Sequence, residues 1–119
     1  MNIKTVPSVP ESEFSQQFLQ GMVDRMSTSF FKYGLVSNAY PSRVDAVASL
    51  KLRLDKYDRT GNLEFLMDVA NFAMIEFMRP RHSDAHYTPT DSEASPGRVW
   101  AGETDPSQRA NSPERWGSK

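Results

Sequence analysis

Glu64, Asp68 and Asn71 are the residues of this chain whose types and spacing point to chemistry. At 100° per residue they fall within an arc about 60° wide on one helix. They interrupt a run from Leu63 to Met78, LEFLMDVANFAMIEFM, in which Glu76 is the other polar residue and lies off that arc. Two carboxylates one turn apart repel unless positive charge stands beside them. A hard cation such as Mg²⁺ is one source, since it takes oxygen ligands, commonly one or two carboxylates together with substrate phosphates. Glu64 and Asp68 would then be metal ligands, with Asn71 orienting a phosphate, a base edge or a water. A basic side chain from a neighbouring helix is the other source, and Arg25, Lys32, Lys51 and Arg53 are available for it. Spacing alone leaves both open, along with plain solvation of the stripe.

The elements that must carry this stripe are helices. Phe14, Phe18, Leu19, Met22, Val23, Met26 and Phe30 recur at spacings of three and four, which marks one apolar helical face. Ser12 or Glu11 can open that helix and Gly34 can stop it. Gly21 inside it costs about 1 kcal/mol relative to Ala, a cost expected where two helices approach closely. A loop over Ser37-Asn38-Ala39-Tyr40-Pro41 follows, with Ser42 as a helix cap. In the second helix Ala46, Val47, Leu50, Leu54 and Tyr57 share a face, with Val44, Ala48 and Leu52 on a thinner stripe. Gly61 suits the turn after it. The third helix is apolar nearly all round, so it is expected to be covered on more than one side, and Pro80 ends it. Sustained two-residue alternation is missing, so the expected fold is all-α. It is a small bundle of three main helices (about 12–33, 42–58 and 62–79) with an extended, largely irregular C-terminal tail.

Composition sets the outer bounds. The 119 residues allow one small domain, here 12–79, between an N-terminal arm (1–11) and a tail (80–119). From Pro80 onward the large apolar residues are Tyr87, Val99, Trp100 and Trp116. Such a segment buries too little apolar area to offset about 1–2 kcal/mol of backbone entropy per residue. A core of fewer than 80 residues is marginal, which predicts a homo-oligomer. The net charge of −1 gives no specific nucleic-acid signal. Without cysteine there is no disulfide framework and no thiolate metal site. No stretch has the roughly 20 apolar residues of a membrane span, and the N-terminus lacks the apolar core of a signal peptide, so a cytoplasmic protein is expected. His82 and His86, with Asp84 between them, form a weak transition-metal pattern or a basic lip with Arg79 and Arg81. A plain surface turn is the simpler reading.

FFKYG, then SLKLRL, a short turn, and LEFLMDVANFAMIEF together resemble the MazG-like superfamily of all-α nucleoside triphosphate pyrophosphatases, in its phage and bacterial nucleotide-modification-associated branch. The resemblance covers about residues 14–78. It implies a nucleotide-binding protein with Mg²⁺ as cofactor, Glu64 and Asp68 as catalytic metal ligands, Asn71 on the nucleotide, and Lys51 or Arg53 on its phosphates. The implied reaction is Mg²⁺-dependent pyrophosphohydrolysis. Catalytic members add a Glu-x-x-Glu pair on an earlier helix, whereas this first helix offers Glu11, Glu13 and Asp24 at other spacings. Binding is therefore implied more directly than hydrolysis. The alternative is a non-catalytic, phage-type helical oligomer or interaction module whose tail binds a protein partner.

Overall fold

The computed structural model describes residues 9–90 and Trp100, and the chain divides into two units, Met1–Ala85 and His86–Lys119. Among the described residues, the first unit holds a single 3₁₀ turn, Glu11–Glu13, and four helices: α1 (Gln16–Tyr33), α2 (Val36–Ala39), α3 (Ala46–Thr60) and α4 (Glu64–Met78). No strand occurs among the described residues, and the fold is all-α. None of these helices is long and apolar enough to cross a membrane. In the second unit, residues 86–90 and Trp100 form no helix, and Tyr87 and Trp100 are exposed. Most of the expected N-terminal arm (residues 1–8), the rest of the tail, and with it Val99 and Trp116, lie outside the described residues.

The helix ends follow from side-chain chemistry. Ser15, rather than Ser12 or Glu11, caps α1 by accepting the Phe18 N–H at 2.9 Å, because the chain first makes the short 3₁₀ turn. Gly34 stops it at φ +87°, donating its N–H to Phe30 O. The expected loop contains the short α2, and Arg43 and Val44 both donate to Ala39 O, so the chain is still turning past Ser42. Asp45 therefore takes the capping role and accepts the Ala48 N–H at 3.0 Å. Gly61 closes α3 in the left-handed conformation, φ +74° and ψ 9°. Asn62 Oδ1 accepts the Glu64 N–H at the start of α4, and the helix ends at Arg79, ahead of Pro80.

α4 is the central element. α3 runs antiparallel to it, pairing Lys56 with the Phe65 ring, Arg53 with the Phe72 ring, and Asp45 with Arg81 beyond the end of α4. α1 also runs antiparallel to α4, on an adjoining face, bringing Gly21 to Met67, Met22 to Asn71, and Arg25 to Asp68 and Glu64. The expectation that Gly21 marks a close helix approach holds. A β-carbon there would collide with Met67 Sδ and Cε. Gly21→Leu should cost about 1–3 kcal/mol through overpacking. Pairing it with Met67→Ala should recover part of that loss in a denaturant titration, because the obstructing atoms are gone.

The core is very small. Among the described residues only Ala46, Asn71 and Ile75 are buried, and α1 buries none of its residues. α3 gains its firm start from Asp45, whose carboxyl is held below the usual carboxylate range. The Ala48 N–H is the main cause; desolvation opposes it and Arg81 adds to it. A depressed folded value means that this contribution is present above the unfolded carboxylate range and is lost as pH falls through the folded value. Asp45→Asn keeps a capping oxygen but removes the titration. Its melting midpoint should therefore fall less steeply than that of the wild type below about pH 4.

Candidate functional site

Asp68 lies at the junction of the three long helices, with its side chain only 13% exposed. From α1, Arg25 grips it with two parallel hydrogen bonds, Nε to Oδ1 at 2.5 Å and Nη2 to Oδ2 at 3.2 Å. The third nitrogen, Nη1, reaches Glu64 Oε2 at 2.7 Å. One planar guanidinium thus spans both carboxylates of the stripe, a geometry that Lys cannot reproduce. From α3, Arg53 places Nε 3.3 Å from Asp68 Oδ2, close enough for an ion pair. Its N–H is not aligned for a hydrogen bond to that oxygen, and the buried Nε has no hydrogen-bond partner. The Arg53 guanidinium carbon stands 5.7 Å from the centre of the Phe72 ring, a cation–π distance.

The electrostatics follow from two positive and two negative groups in contact. Arg25 holds its proton more firmly than a free guanidinium, chiefly through the hydrogen bond to Asp68. Partial burial works against this, while the charges of Asp68 and Glu64 add to it. Tyr40 lies within reach of the Arg53 charge. Burial raises its hydroxyl pKa and Arg53 pulls it back.

Asn71 continues the stripe one turn further on, at 6% exposure. Its Nδ2 donates to the Met22 carbonyl of α1 at 3.1 Å. The Asn71 Oδ1 is buried and has no hydrogen-bond partner.

The structure therefore brings together Glu64, Asp68, Asn71 and Arg53 of the residues singled out in the sequence. It does not bring Lys51, which is exposed on α3 and lies about 200° around that helix from Arg53. Arg25, one of four bases available for pairing, is the principal partner. The signal that could have singled it out is its position one turn beyond Gly21 and Met22 on the face that meets α4. Glu76, off the stripe, accepts the Arg81 N–H at 2.8 Å through Oε2 and holds the chain just past Pro80. Its Oε1 is buried without a hydrogen-bond partner. His82 Nδ1 accepts the Asp84 N–H at 2.9 Å within a local turn.

As arranged, the carboxylates do not fit Mg²⁺. Asp68 Oδ1 and Oδ2 and Glu64 Oε2 all face guanidinium nitrogens, where a dication would meet like charge. No group of three or more His, Asp or Glu side chains with metal-ligand spacing forms among the described residues. The arrangement is chemically suited to fastening α1 and α3 onto α4. No family model, curated protein or solved structure matches this chain.

Proposed function

We propose that this chain is a non-catalytic helical interaction module, in which the stripe on α4 is an internal lock. The observation that carries this reading is the Arg25 guanidinium spanning Asp68 and Glu64, with Arg53 closing on the same Asp68 from α3. Carboxylates engaged in this way hold three helices in register and are withdrawn from metal and substrate. The surface supports the reading from outside: large apolar side chains such as Phe31, Tyr33 and Phe77 are more than two-thirds exposed. On this reading the tail carries further partner contacts, with the exposed Tyr87 and Trp100 as anchors. Incubation with a panel of nucleoside triphosphates and Mg²⁺ should give no product and no change in melting midpoint. Pyrophosphate release that scales with protein and disappears in Asp68→Asn would overturn the proposal.

A second reading keeps the resemblance to nucleotide-binding helices, and one observation favours it. Asn71 Oδ1 and Arg53 Nε are buried polar atoms without hydrogen-bond partners, each on a residue that touches the helix junction, and a ligand edge would satisfy them. The two readings separate at Asn71→Leu. In an interaction module this change removes one orphaned acceptor and one hydrogen bond, so stability should stay within about 1 kcal/mol. In a nucleotide-binding protein, the same change abolishes the stabilisation that a nucleotide gives the wild type in a thermal shift.

A further inference from the structure

α4 is inverted for a helix of a lone domain. Asp68 and Asn71 of its polar stripe turn inward, and its outward arc is apolar. At 100° per residue, Leu63, Leu66, Ala70, Ala73 and Phe77 share an arc about 80° wide, roughly opposite Asp68. α1 meets α4 through Met67, Asp68 and Asn71, and α3 meets it through Phe65, Asp68 and Phe72. None of those contacts falls on the outward arc, where Leu66 and Ala70 are half-buried and Leu63, Ala73 and Phe77 are exposed. Leu63 is 65% exposed at one end and Phe77 is 75% exposed at the other, with Ala73 exposed between them.

We infer that this face joins two copies of the chain, α4 against α4, antiparallel about a two-fold axis near Ala70. The inference rests on the interaction-module reading and names its partner. The pattern is self-complementary, as an isologous contact requires. Leu63 and Phe77 each stand seven residues from Ala70, so a two-fold axis there brings the bulky end of one helix onto the bulky end of the other. The small Ala70 and Ala73 in the middle let the two backbones approach.

Two magnitudes support a second copy. The antiparallel register carries Phe77 of each copy toward Leu63 of the other, at the end of the molecule where Phe30, Phe31 and Tyr33 of α1 are exposed. At about 200 Å² per ring, the exposed parts of those four aromatics come to roughly 550 Å². Leu63, Leu35 and Met78 bring the total near the ~800 Å² per partner of a standard interface. A unit with only two buried apolar residues among those described also needs a companion present whenever the chain is made, and a second copy meets that need. The arc carries no charge with which to select a different partner.

Light scattering on the full chain should give twice the 13.5 kDa of one copy. Ala73→Glu places a charge at an exposed position near the middle of the contact. It should keep its helicity by circular dichroism while weakening the dimer roughly a hundredfold or more. Because the chain has no cysteine, single-cysteine variants report the register. Ala70→Cys should form a homodisulfide, and Leu63→Cys should cross-link to Phe77→Cys but not to itself. A monomer, a mass other than two chains, an Ala73→Glu variant that stays dimeric, or Leu63→Cys pairing with itself would each overturn the inference. A monomer without nucleotide turnover sinks the dimer and leaves the module reading standing. A dimer that hydrolyses nucleotides sinks the module reading and leaves the interface standing.

Discussion

Asp68→Asn is expected to destabilise the helical unit by about 2–3 kcal/mol, read as a shift of the denaturation midpoint at unchanged m-value. The substitution preserves volume, so the loss comes from charge alone. Arg25 and Arg53 remain where they were, facing an uncharged amide at the junction of α1, α3 and α4. Breaking a fully buried pair costs about 3–5 kcal/mol. The figure here is lower because the arginine side chains are 37% and 32% exposed and can turn toward water. Removing three of the four charges together, as Arg25→Met, Arg53→Met and Asp68→Leu, should recover much of the loss, since the charge that remains, Glu64, is 59% exposed and stays solvated. If Asp68→Asn proves neutral or stabilising, the carboxylate is not an internal lock. A strained, ligand-ready acid would then be the better description.

Ile75→Ala should cost about 3 kcal/mol, the largest effect expected from a single apolar truncation in this chain. Ile75 is 4% exposed, and with Ala46 it makes up the buried apolar core of the described residues. A small domain of this size has about 4–12 kcal/mol of total stability, so the variant should be close to unfolding at physiological temperature. Ile75→Val, which removes one methylene, should cost nearer 1 kcal/mol. Urea denaturation of both variants at two protein concentrations checks the ratio. It also shows whether the remaining stability depends on association. A loss below about 1 kcal/mol for Ile75→Ala would mean that the stabilising burial lies elsewhere, in the contact between copies.

Much of the fold was legible because its signals are local. Gly34 and Gly61 stop helices at positive φ, Pro80 ends α4, and the three- and four-residue spacing of apolar groups marks α1. The errors were also local in cause. Residue type points to Ser42 as the cap of α3, but backbone bonds to Ala39 O keep the chain turning until Asp45 is in place. The 3₁₀ turn at Glu11–Glu13 likewise moves the start of α1 to a cap at Ser15.

For the candidate site, the sequence by itself determined that Glu64, Asp68 and Asn71 form one line, and that Leu63, Leu66, Ala70, Ala73 and Phe77 form another. Helical periodicity sets which residues share a face, whatever surrounds the helix. Which line turns inward depends on the packing of α4 against α1 and α3. That packing chose Arg25 over Lys32 and Lys51 as the main counter-charge and left Leu63, Ala73 and Phe77 of the apolar line exposed. The physical reason is the range of the contacts involved. The rotation of α4 about its own axis is set by partners such as Arg25, 43 residues away in sequence, and by the space that Gly21 opens for Met67. No local spacing records a choice made at that separation.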